Sequence, residues 1–134
     1  MSKALASRAE IARKHGMIAV VDEVSTGEVS ERTRSENPLA LAAVRLSLLG
    51  QDPESYAKAC TALSEARGTL NFGDVNAETH VITGDEDEIS PSRLCETYTR
   101  ALSKANEVLV LKGVGHWHVF EDVRGVAAAV KGFL

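Results

Sequence analysis

Hydrophobic positions along the 134-residue chain follow two regimes that change near residue 75. In the first, apolar residues recur at helical spacing. Leu5, Ala9 and Ala12 share one face of a stretch from Ala4 to His15, and Gly16 stands where a helix C-terminal glycine is expected. The run "MIAVVDEV" (17–24) is short and apolar, and at this length periodicity does not separate helix from strand. The polar stretch "STGEVSERTRSE" (25–36) reads as a loop. "NPLALAAVRLSLLG" places Asn37 as N-cap and Pro38 at the first helical position, and ends at Gly50. "DPESYAKACTALSEARG" repeats the pattern: Asp52 caps, Pro53 opens, and Tyr56, Cys60, Leu63 and Ala66 form a stripe before Gly68.

The second regime alternates strand and helix. "HVIT" (80–83) is a short β-branched strand that runs into "GDEDEIS". Ser90 and Pro91 read as the cap and first residue of a helix with Leu94, Tyr98, Ala101 and Ala105 on one face. "EVLVL" (107–111) is a second apolar strand, and a closing helix from about Asp122 should bury Val126, Val130 and Phe133 or Leu134. Val81 to Leu111 has about the 30-residue length of a βαβ unit. Both strands are continuously apolar, as parallel strands covered on two faces should be. The expected class is therefore α/β, with a helical region at 1–75 and a β-α-β-α region at 76–134.

Composition narrows the function. Hydrophobic residues at 44% and charged residues at 25% are those of a globular domain, not a disordered chain. A net charge of −4 with scattered lysines and arginines argues against a nucleic-acid partner. No apolar stretch approaches the ~20 residues of a membrane span, and the N-terminus lacks an apolar core of signal-peptide length. Cys60 and Cys95 occupy apolar positions of helical patterns and read as buried, reduced thiols of a cytoplasmic protein.

Candidate chemistry sits at the carboxyl ends of the two strands, where ligands gather in open parallel sheets. The first end gives Gly84-Asp85-Glu86-Asp87-Glu88 and the second Gly113-Val114-Gly115-His116. Neighbouring strands lie about 5 Å apart, so a carboxylate from one loop can reach an imidazole on the other. That pair would form the orienting half of a nucleophile–His–acid triad. Asp87 is singled out by its position in the loop, and the other three acids read as solvated. An alternative uses His116 and His118 as metal ligands, since alternate residues of an extended segment share a face. A catalytic zinc needs a third protein ligand, for which Asp122 or His80 would have to serve. Trp117, beside His116, reads first as a packing residue and second as a wall of a substrate-binding pocket.

Together these residues resemble the C-terminal half of an α/β-hydrolase. "VITGDEDEISP" is similar to that fold's strand and acid loop, with Asp87 as triad acid, and "VLVLKGVGHWHVFEDVRGVAAAVKGFL" to its last strand, histidine loop and final helix, with His116 as triad base. Upstream, "RAEIARKHGMIAVVDEV" and "DPESYAKACTAL" resemble the lids of 3-oxoadipate enol-lactonases and related esterase-like hydrolases. The resemblance implies a small-molecule ester or lactone substrate and no cofactor.

The family's nucleophile sits in a Gly-x-Ser-x-Gly elbow, and this sequence has none. The nearest match, Val24-Ser25-Thr26-Gly27, lacks the first glycine and precedes a polar stretch. A truncated product or one part of a split enzyme, inactive alone, is therefore expected; a non-catalytic interaction module is the alternative. An incomplete sheet and apolar stripes around Leu46, Leu49 and Leu63 should also promote self-association.

Overall fold

The computed structural model describes residues 2–66 and 71–133. These form two compact units: residues 2–27 with 42–66, and residues 28–41 with 71–133.

The first unit is helical. It contains α1 (Ser2–His15), α2 (Ile18–Gly27), most of α4 (Pro38–Leu49) and α5 (Pro53–Glu65). Helix α1 packs on α5 and α2. Small residues make that packing close: Ala9, Ala12 and Ala57 are buried, with Val20, Val21, Val24, Val44 and Leu48. The run at 17–24, ambiguous in the sequence, is helix. Gly16 ends α1 with φ +74 and donates its N–H to the Ala12 carbonyl at 2.9 Å, the left-handed ending that spares other residues a Cβ clash. Asn37 Oδ1 accepts from Ala40 N at 3.1 Å, and Asp52 Oδ1 from Ser55 N at 2.8 Å, so both helices start where their cap and proline indicate. Gly68 lies outside the described residues. Leu46 and Leu63 are 69% and 66% exposed, so their apolar stripe is uncovered.

Residues 25–36 are not a loop: α2 runs to Gly27 and α3 spans Glu31–Glu36. Ser30 caps α3 by accepting from Thr33 N at 3.2 Å, and an Arg34–Glu31 pair at 2.9 Å lies along it. A charged helix without an apolar stripe gives no periodic signal, which is why it reads as loop.

Strands β1 (Ile82–Gly84) and β2 (Leu109–Leu111) pair parallel, with Ile82 opposite Leu109 and Gly84 opposite Leu111. A 3-10 turn at Phe72–Asp74 precedes them, and α6 (Ser92–Ala101) connects them. Both strands are shorter than expected. Leu109 and Val110 are 41% and 38% exposed, so β2 is not covered on two faces. Pro91, rather than Ser90, occupies the N-cap position of α6: its carbonyl accepts from Leu94 N at 2.8 Å and Cys95 N at 3.1 Å. The buried residue of α6 is Cys95; Tyr98 is exposed, and Ala105 lies beyond the helix in a bridge with Thr79. The C-terminal segment divides into α7 (His118–Glu121) and α8 (Val123–Phe133). None of the α8 residues is buried, against the expectation for Val126, Val130 and Phe133, and Leu134 lies outside the described residues. Among the described residues no helix is long and apolar enough to cross a membrane.

Two glycines of the first unit should respond in opposite directions to alanine. Gly16→Ala forces a Cβ into the left-handed region and should cost about 1 kcal/mol. Gly27→Ala, at the helical end of α2 with no atom near its added Cβ, should gain about 0.5 kcal/mol. Urea unfolding of the two variants checks the contrast. Equal effects would contradict the local geometry.

Candidate active site

Two loops, one at the end of each strand, are stitched into a single surface by their own backbones. Asp85 N donates to Leu111 O at 2.9 Å and Glu86 N to Val114 O at 3.0 Å. In return, Gly113 N donates to Asp85 Oδ1 at 2.6 Å. The approach is so close that a Cβ on Gly84 would run into the Val114 carbonyl. Gly113 turns the second loop with φ +64.

This geometry brings the expected pair together. His116 Nδ1 lies 3.0 Å from Asp87 Oδ2. The Asp87 side chain is 1% exposed and that of His116 is 34% exposed, so the acid is enclosed and the ring opens outward. Asp87 Oδ1 also accepts from Ile89 N at 2.9 Å and Ser90 N at 2.8 Å. Burial pushes the Asp87 carboxyl up, but the Ser90 N–H, the His116 ring and the Ile89 N–H outweigh it and hold it below the ordinary 3.8. An ionised carboxylate only accepts, so the ring proton sits on Nδ1 and Nε2 keeps its lone pair. Behind Asp87, Thr83 Oγ1 lies at 3.4 Å and donates to Ser90 O at 2.9 Å.

Two of the other loop acids are not merely solvated. Asp85 bridges to the histidine loop as described, and Glu86 Oε2 accepts from Glu31 N at 2.8 Å. The residue that sequence reasoning missed altogether is Glu121. It is 5% exposed and accepts from Ser30 N at 2.8 Å, Thr33 Oγ1 at 2.8 Å, Gly115 N at 3.1 Å and Trp117 N at 3.1 Å. No local motif announces it. The donors at Ser30 and Thr33 are about ninety residues away in sequence.

Trp117 is half-buried, edge-on to the His116 ring at 6.5 Å and tilted against Phe120 at 6.1 Å. Its Nε1 and the Nδ1 of His118 are enclosed without a hydrogen-bond partner. The metal alternative loses its geometry. His118 begins α7 rather than continuing an extended segment, Asp122 Oδ1 caps Gly125 N at 2.9 Å, and His80 meets Phe133 edge-on at 4.4 Å. Among the described residues no three His, Cys, Asp or Glu side chains converge as metal ligands.

Ser25, at the nearest match to a nucleophile elbow, is not presented to a substrate. Ser25 is fully buried within α2, and its hydroxyl lies 3.5 Å from the Asp22 carbonyl. Cys95 is buried and donates to Ser90 O at 3.3 Å; burial pushes its thiol up, away from the reactive thiolate.

No protein-family model matches the sequence, and no curated protein does. Solved structures do. A thermophilic esterase from Thermogutta terrifontis superposes with a TM-score of 0.86 at 22% identity, covering 98% of this chain and 48% of its own. The enol-lactonase from Burkholderia xenovorans LB400 gives 0.82 at 25% identity, covering 95% and 48%. MGS-M2, an α/β-hydrolase enzyme from a Medee basin deep-sea metagenome library, gives 0.77 at 16% identity, covering 98% and 50%. The chain thus has the fold of the C-terminal part of an α/β-hydrolase, with an incomplete sheet. It spans about half the length of the structures it matches.

The lowered Asp87 carboxyl gives stability a sign with pH. A group whose folded value lies below its unfolded one contributes above the unfolded value and stops contributing as pH falls through the folded one. Asp87→Asn should therefore cost about 1–3 kcal/mol near neutrality, a typical penalty for disturbing buried hydrogen bonds. The deficit against wild type should shrink below about pH 4. Urea titrations at a series of pH values measure it, and a deficit unchanged down to about pH 2 would contradict the assignment.

Proposed function

We propose that this chain supplies the base, His116, and the acid, Asp87, of a nucleophile–His–Asp triad that hydrolyses a carboxylic ester or a lactone. The observation that carries the reading is the 3.0 Å contact between His116 Nδ1 and an enclosed Asp87 at the ends of adjacent parallel strands. In a complete site, Nε2 takes the nucleophile's proton as its oxygen attacks the acyl carbon. The tetrahedral intermediate collapses as His116 hands that proton to the leaving alkoxide. The same ring then takes a proton from water as the water oxygen attacks the acyl carbon, and returns it to the nucleophile's oxygen as the acyl–nucleophile bond breaks and the acid product leaves. Asp87 stabilises the imidazolium at both stages. This chemistry uses no cofactor.

The nucleophile and the oxyanion donors come, in this proposal, from outside these 134 residues. We assign residues 1–75 to the lid region and 76–134 to the core, with the stretch at 28–41 grouped in the compact unit that holds the histidine loop. Trp117, edge-on to His116, is the proposed wall of the acyl or lactone pocket. The esterase and the enol-lactonase among the matched structures support the substrate class. Two buried free cysteines support a cytoplasmic setting.

The chain alone should show no measurable turnover of short-chain nitrophenyl esters or simple lactones, because a base without nucleophile and oxyanion donors loses most transition-state stabilisation. Robust turnover abolished by Ser25→Ala would overturn this. Mixing the chain with the N-terminal half of the Burkholderia enol-lactonase should restore hydrolysis, and His116→Ala should remove it. Restored activity indifferent to His116→Ala would refute the assigned base.

A second reading, an association module, is favoured by one observation. Val119, Val123 and Val130 stand 51%, 62% and 48% exposed around an apolar groove on α8. Exposed apolar area of this kind drives association. The purified chain should self-associate in analytical ultracentrifugation, or bind the dye ANS. A sharp monomer that unfolds cooperatively and binds no dye would remove this reading.

A further inference from the structure

We propose that Glu121 is the positioning residue of the histidine loop: its carboxylate gathers the amides on both sides of His116 and thereby holds the ring against Asp87. The inference rests on the reading of His116 as the base. Glu121 accepts from Gly115 N and Trp117 N, the residues immediately before and after His116, each at 3.1 Å. The same carboxylate is fastened from the other side by Ser30 N and Thr33 Oγ1, both at 2.8 Å. His116's own N–H is taken by Glu28 O at 2.8 Å. Three successive amides of the loop therefore have fixed acceptors, two of them on one side chain.

A Cβ on Gly115 would lie 2.7 Å from both Glu28 O and Ser30 N, so the 28–30 backbone is pressed directly on it. A buried carboxylate is stable only when its lone pairs are filled, and here four donors fill them. Removing the charge would leave several of those donors unsatisfied, and the loop would move to satisfy them. Glu121 reaches His116 only through the backbone; no direct contact between the two side chains is needed.

The experiment reads the imidazole directly, by ring 15N NMR at a pH where His116 is neutral. In the wild-type chain the proton should reside on Nδ1, and Asp87→Asn should shift it toward Nε2. Glu121→Gln should produce the same shift although Asp87 is intact, with the fold preserved by circular dichroism. It should also speed exchange of the Gly115 and Trp117 amides about tenfold, as loss of a charge-assisted hydrogen bond implies. If Asp87→Asn moves the tautomer and Glu121→Gln does not, the positioning role is refuted while the base assignment stands. If Asp87→Asn itself changes nothing, the base–acid reading fails first. Should Glu121→Gln not fold, the wild-type chain still decides: fast exchange of both amides would overturn the inference, and joint protection of them would uphold it.

Discussion

The separation of the two loops at Gly84 is the constraint on which the site depends. With no side chain at position 84, the Val114 carbonyl comes close enough to take the Glu86 amide, and the Asp85 carboxylate closes the other side on Gly113. An alanine here would push the loops apart by more than the tolerance of a hydrogen bond, whose N···O distance spans about 2.7–3.2 Å. The Asp87–His116 contact is built on that approach. It inherits its distance from backbone, not from the flexibility of either side chain.

Two buried carboxylates serve the histidine in different ways. Asp87 meets the ring, and its charge is kept by backbone N–H groups at Ile89 and Ser90 as well as by the ring itself. Glu121 never meets the ring and instead organises the backbone around it. Both burials cost desolvation, and both are offset by charge-assisted hydrogen bonds. An isolated ion pair would leave lone pairs empty; here donors from three segments fill them.

What the sequence disclosed follows the range of the interactions. Caps at Asn37 and Asp52 were legible because the cap, its proline and its amide partners lie within four residues. Asp87 and His116 were legible because parallel pairing of two short apolar runs brings their loops together. Helix α3 was hidden, since it has no apolar stripe and its ties to the site run from Ser30 and Thr33 to Glu121, far along the chain. Ser90 misled because the helix starts one residue later, with the Pro91 carbonyl taking its first amides while the Ser90 amide serves Asp87. Helix α8 carries the stripe of a buried helix, yet Val123 and Val130 are exposed, because periodicity reports which face is apolar and not what covers it.

The supports of the histidine are confined to one compact unit. Acid loop, histidine loop, α3 and Glu121 all belong to residues 28–41 and 71–133, and each hydrogen bond that positions the ring is made inside that set. Among the described residues, the contact that fixes the tautomer of His116 is the one to Asp87, itself held by the Ile89 and Ser90 amides. Orientation and charge stabilisation of an imidazole need only neighbours within hydrogen-bond reach, whereas bond-making needs an exposed nucleophile and donors aimed at the oxyanion. The first set is built here as a self-contained structure. In the function proposed above, it is preorganised before a nucleophile joins it, which lowers the ordering cost of a working site.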